Sequence, residues 1–204
     1  MAIATLPLRA IGLGLVLVLL GCPVVLQAMA QSPPQTATPD DEASARARQI
    51  DELFARLKTA KLEQDGDEIV SQIWKLWLQS GDPGVDAKMQ HVVLVMGQVP
   101  ALALPILDDI VRQKPSWAEA WNKRATVLYL IGEYDRSLAD IDRVLALEPR
   151  HFGALAGIGL IRIEKGETRE ALAAFRRALA VNPFLKERFG IVPALEKELG
   201  EKPI

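Results

Sequence analysis

Apolar residues recur along most of this chain at spacings of three and four, with polar residues between them. From Ala118 to Pro149 the pattern divides into two stretches. Trp121, Ala125 and Leu128 fall on one stripe, and Leu138, Ile141, Val144 and Leu145 fall on another. Those spacings fit amphipathic helices with one buried face and fit no strand. Gly132-Glu133 marks a tight turn between them. Pro149 ends the second helix, because proline lacks an N–H and disfavours helical geometry in the residue before it. Phe152 to Pro183 repeats the layout: displaced by 34 residues, Gly132-Glu133 falls on Gly166-Glu167, Leu138 on Leu172, Leu145 on Leu179 and Pro149 on Pro183.

The second copy carries Leu155, Ile158-Gly159, Ala171, Phe175, Ala178 and Pro183; the first carries Trp121, Ala125, Gly132, Tyr134 and Pro149. These positions resemble tetratricopeptide repeats, whose signature is W-x2-L-G-x2-Y, then A-x3-F, then P, at a period of 34. The first copy departs at Arg124, Ser137 and Ile141, where the family usually has an apolar residue, an alanine and an aromatic. The signature residues are packing residues, so the resemblance speaks to fold more than to function. It implies an all-α, right-handed α-solenoid.

Stepping back through the prolines gives Pro115 and then Pro83, which predicts two weaker helix pairs in the first half. One runs from Ala43 to Gln64, turns at Asp65-Gly66-Asp67 and continues from Glu68 to Gln79. The next joins Val85–Met96 to Ala101–Gln113 through Gly97-Gln98-Val99-Pro100. The expected organisation is four pairs, over about residues 44–83, 84–115, 118–150 and 152–184, within a helical domain of 44–200. A cap over 186–200 closes it, with Gly190 and Pro193 breaking a short first turn from a helix that starts near Pro193. Glu196, Lys197 and Glu198 are expected on its exposed face, since the end of a stacked array must be polar. Four pairs exceed the three or so such an array needs.

Residues 1–30 read as an export signal: Arg9, an apolar run from Ala10 to Leu26, and small residues at Ala28 and Ala30 that suit cleavage before Gln31. Leu19-Leu20-Gly21-Cys22 offers the rival reading, a lipobox that would leave a lipidated Cys22. An uncleaved anchor is the third. All three place the domain outside the cytoplasm, periplasmic or secreted, or held at a membrane by its N-terminus. Residues 31–43 contain three prolines and no apolar period, the composition of a flexible tether.

Charge and chemistry narrow the function further. The 24 basic and 26 acidic residues give a formal charge of −2 with no Lys/Arg run, against a nucleic-acid partner. Cys22 is the only cysteine, so no disulfide or thiol chemistry is expected in the domain. His91 and His151 fall about two repeats apart, with no cluster to complete a metal site. Asp108-Asp109 and Asp140/Asp142 read as helix-surface ion pairs, Asp140 with Arg136 and Arg143, rather than acid–base pairs. No phosphate loop or nucleophile elbow appears, so neither an enzyme nor a cofactor is expected. Trp77 and Trp121 fall on core stripes; Trp74 and Trp117 read either as core or as half-exposed anchors for a partner.

The resemblance also implies a binding face, because the first helix of each pair lines a concave groove in the family. It assigns Lys88, Val92 and Val95 to that groove in the second pair, Asn122, Thr126, Tyr129 and Leu130 in the third, and Ala156, Leu160 and Ile163 in the fourth. The lining is mostly apolar and lacks a clamp for a C-terminal carboxylate, since Gly153 and Ala156 stand where its groups would be. The implied function is a scaffold or adaptor that docks a peptide or helix of a partner protein. Alternatives are a lipid-anchored envelope assembly factor, or an enzyme or enzyme subunit whose catalytic cluster the sequence does not show. A groove filled by the chain's own helix, Ala43 to Gln64, competes with an open one.

Overall fold

The computed structural model of the chain describes residues 38–200; the expected export signal, Cys22 and most of the stretch expected to be a tether lie outside them. Among the described residues there are helices and turns and no strand. The α-helices are α1 (Pro39–Thr59), α2 (Glu63–Trp77), α3 (Pro83–Met96), α4 (Leu104–Gln113), α5 (Ala118–Leu130), α6 (Tyr134–Leu147), α7 (Phe152–Glu164), α8 (Thr168–Val181) and α9 (Ile191–Leu199). Successive pairs α3–α4, α5–α6 and α7–α8 stack as a right-handed α-solenoid, with α4 against α5 and α6 against α7.

The turns of the last two pairs follow from their glycines. Gly132 and Gly166 have φ of 80° and 71°, a region that costs a side-chain-bearing residue and not glycine. Each lets the next residue bond back to the helix end, Glu133 N–H to Leu128 O and Glu167 N–H to Arg162 O, both at 2.8 Å. Small residues then let the helices of a pair close in. Ser137 Oγ donates to the Ala125 carbonyl at 2.7 Å, which explains a serine where the family has alanine. A Cβ on Gly159 would lie 2.6 Å from the Phe175 ring. Ala125 and Ala178 are buried at two such crossings. Leucine at either should overpack and cost about 1–3 kcal/mol. Thermal unfolding checks this, and two unchanged midpoints would contradict the packing described.

The first pair differs from the expected layout in three ways. α1 begins at Pro39, inside the stretch assigned to the tether, because Thr38 and Asp41 form a reciprocal capping box around a proline at the first helical position. The turn falls at residues 60–62 rather than at Asp65-Gly66-Asp67. Gly66 lies in the first turn of α2, buried, where a Cβ would meet the Phe184 ring at 2.4 Å. It is a packing glycine and not a turn glycine. Finally, Leu53, Leu57, Ile69, Ile73 and Trp77 share a core with Phe152 and Phe184, not with α3. The α1–α2 hairpin therefore lies across the start of α7 and the loop after α8. Arg150–Asp51 at 2.8 Å and Lys186 with Glu63 and Asp67 at 3.1 and 3.0 Å clasp its rim.

At the other end, Val192 and Leu195 of α9 cover Phe175 and Ala178. Glu196, expected on the exposed face, is buried and accepts from Arg176 Nη2 at 3.0 Å. α9 starts at Ile191, which turns residues 192, 195 and 196 inward together. Lys197 and Glu198 are left to solvent.

Candidate functional site

The concave side of α5 and α7 holds a cavity of about 380 Å³. Asn122, Thr126 and Tyr129 reach it from α5, Ala156 and Leu160 from α7, with Gly153 and Gly157 leaving room between them. Its outer wall is α2, through Val70 and Trp74, and its rim is Asn182 to Glu187. The groove is thus partly filled by the chain itself, but by α2, where Ala43 to Gln64 was the expected filler. The lining is apolar apart from a few handles, and some of those are already engaged. Thr126 Oγ1 donates to the Asn122 carbonyl at 2.8 Å, and Asn122 Nδ2 donates to Glu119 Oε2 at 3.0 Å. Burial beside Glu164 and Tyr134 pushes the Tyr129 phenol above its ordinary range, so it is a neutral handle at physiological pH.

Five of the ten residues assigned to this face therefore converge. Leu130, at the last position of α5, and Ile163, near the end of α7, are exposed and do not line the cavity. In α3 the assignment is out of register. Val85, Met89 and Val92 are buried with the spacing of Trp121, Ala125 and Leu128, so Val92 is core, and half-buried Val95 packs against the same core. Lys88 pairs with Asp109 of α4 at 2.6 Å instead. The positions equivalent to Asn122, Thr126 and Tyr129 are Asp86, Gln90 and Val93. The physical reason is that Pro83 begins α3, whereas Pro115 lies in the loop before α5. The two prolines punctuate different positions.

Beneath the cavity lies a polar cluster that the sequence did not reveal. His151 and Glu119 are both buried, 32 residues apart in sequence, with His151 Nε2 3.1 Å from Glu119 Oε2. His151 Nδ1 accepts from the Ala154 N–H at 3.1 Å and so caps α7, which leaves Nε2 as the donor to the carboxylate. Lys123 Nζ lies 2.8 Å from the other Glu119 oxygen. Burial works to raise the Glu119 carboxyl, but the His151 hydrogen bond and the Lys123 charge outweigh it and hold it below its ordinary value. Trp77 stacks on His151 with centroids 4.1 Å apart. This cluster fixes where α2 meets α5 and α7. Trp117 Nε1 donates to the Trp77 carbonyl at 2.7 Å, and Trp74 packs edge-on against Phe152 and His151. Both tryptophans therefore serve internal contacts.

Asp140 also departs from expectation. It is buried and pairs with Arg124 of α5 at 2.7 and 2.8 Å, not with Arg136 or Arg143. Arg124 Nη1 donates to Asp108 of α4 at 2.8 Å. The arginine that departs from the family pattern thus joins three helices across two pairs. Among the described residues, no group of three or more His, Cys, Asp or Glu is placed to hold a metal.

Residues 152–184 match the tetratricopeptide repeat family model. A TPR repeat-containing protein of Rhizobium etli is 36% identical over 142 residues, covering 69% of each chain. Anaphase-promoting complex subunit 7 of Dictyostelium discoideum is 30% identical over 77 residues, 38% of this chain and 13% of that protein. The crystal structure of MamA protein superposes with a TM-score of 0.52 at 18% identity, covering 78% of this chain and 84% of MamA. At that identity the likeness is one of fold.

Proposed function

We propose that this chain, which belongs to the tetratricopeptide repeat family, is a protein-interaction scaffold that docks a peptide or short helix of a partner in the cavity between α2, α5 and α7. The observation that carries this reading is the convergence of Asn122, Thr126, Tyr129, Ala156 and Leu160 on one cavity of about 380 Å³. Apolar side chains of a partner would be buried against Ala156, Leu160 and the Tyr129 ring, and the hydroxyls would fix their orientation. Docking onto a site already walled by α2 leaves room for a few partner side chains rather than a long segment.

The sequence of residues 1–30 supports export, with the domain carried outside the cytoplasm on the stretch that precedes α1. Lipidation at Cys22 would make the same domain a lipid-anchored assembly factor of the envelope. The mass of the N-terminal peptide of the protein isolated from its own cells separates the two: Gln31 as first residue for simple cleavage, an acylated Cys22 for the lipoprotein.

The binding reading is tested by capture from envelope extract with the wild-type chain and the Tyr129→Ala/Leu160→Ala double variant. Both side chains are half-buried, so helicity by circular dichroism should be unchanged. Partners recovered by the wild type should be lost from the variant. Equal recovery from both would remove the concave cavity as the docking site.

A further inference from the structure

Inside this chain the second helix of one pair docks on the first helix of the next twice, α4 on α5 and α6 on α7. The first pair does not repeat this on α3, because α1 and α2 share their core with Phe152 and Phe184. Among the described residues, no helix covers the corresponding face of α3. On α5 that face consists of Ala120 and Val127, both buried in the core shared with α3 and α4, with Arg124 between them. The α3 counterparts, by the matching stripes described above, are Gly84, Lys88 and His91. They border a groove of about 600 Å³ with Ala87, Pro105 and Ile106, and no α5 residue lines it. Leu94, one turn further along α3, is 68% exposed. From Met89 to Leu107 there is no Asp, Glu, Lys or Arg.

Charge says what chemistry the missing helix carries. Arg124 grips Asp140 of its own pair and, with Nη1, Asp108 of the preceding helix at 2.8 Å. Lys88 holds the own-pair contact, to Asp109, and its side chain is 41% exposed toward the open groove. We propose that the groove between α3 and α4 docks an amphipathic helix of a second protein, with an apolar stripe on Ala87, His91 and Leu94 and a carboxylate at Lys88. A second copy continuing the array is less suited, because the helix it would offer, α8, is already covered by Val192 and Leu195 of α9.

The test is fluorescence anisotropy of the full chain with a labelled peptide copying residues 99–114, whose Asp108 is the carboxylate that Arg124 grips. Saturable binding is expected, weakened about tenfold by Lys88→Glu or Leu94→Asp. An Asp108→Lys peptide should recover affinity for the Lys88→Glu chain, a rescue that a merely misfolded variant would not show. The Tyr129→Ala/Leu160→Ala variant should bind the peptide as the wild type does, which separates this groove from the concave cavity. No saturable binding, or binding indifferent to Lys88→Glu, would overturn the proposal. So would a dimer in sedimentation that Lys88→Glu dissolves, which would give the groove to a second copy.

Discussion

Phe152→Ala should lower the free energy of unfolding by about 3–5 kcal/mol, the range for truncating a well-packed core aromatic. The side chain is 1% exposed and is where the α1–α2 hairpin meets the solenoid. Its ring lies 5.0 Å from Trp77, 5.3 Å from Trp74 and 6.4 Å from Phe54, centroid to centroid. Phe152 shares that role with Phe184 and with Trp77 stacked on His151, but its ring meets three aromatic side chains of the hairpin. Truncation removes the ring and leaves a void between rigid helices that cannot collapse into it. Because Trp74 and Trp77 border that void, their emission should shift to the red as water enters. Phe189→Ala is the control: that ring is 66% exposed, and its loss should change stability by no more than about 0.5 kcal/mol. If denaturant unfolding finds the two substitutions equally mild, the hairpin is not seated on Phe152.

Glu119→Ala should cost a similar amount, about 3–5 kcal/mol, for a different reason. Glu119 and His151 are buried as a hydrogen-bonded pair, and deleting the carboxylate leaves the His151 N–H without its acceptor and Lys123 without its counter-charge. The loss combines these unpaired groups with the void that the buried side chain leaves. His151→Ala should be costly as well, since it also removes the cap of α7. The double variant should cost less than the sum of the two, a non-additivity expected of partners in one network. Additive costs would mean the two residues act independently. The pair also predicts an acid dependence. The Glu119 carboxyl is held below its ordinary value of 4.5 in the folded chain. Its contribution is therefore complete above about pH 4.5 and is lost as pH falls through the lower folded value. The stability gap between wild type and Glu119→Gln, from urea midpoints, should narrow on acidification. A gap that widens instead would reverse the assigned direction.

Much of the fold was legible in the spacing of apolar residues. The α5–α6 and α7–α8 pairs, their glycine turns and the close crossings at Ala125 and Ala178 follow from a 34-residue repeat, because each feature is local. A helix stripe, a left-handed glycine and a helix-ending proline are decided by residues a turn or two away. The same local signals brought five of the ten assigned residues to one cavity, where α5 and α7 follow the repeat closely.

What the sequence left open was decided by contacts between residues far apart along the chain. Nothing within a few residues of Gly66 says that it packs on Phe184, so the expected turn there fell inside a helix. Pro83 stands two residues before Val85 whereas Pro115 stands six before Trp121, and that unequal placement hid the rotation of α3 that moves Val92 into the core. Asp140 looked like a surface partner of its own helix until Arg124 of α5 claimed it. The Glu119–His151 pair has no sequence signature, since a carboxylate and an imidazole 32 residues apart become partners only when α5 and α7 stack. The sequence by itself determined which helices form and which stripe each buries, because those depend on period and propensity. Only the tertiary structure decided where the first hairpin rests, which cavity it walls and which face of α3 it does not cover. Those depend on how buried surfaces from distant segments fit one another, and no local spacing encodes that fit.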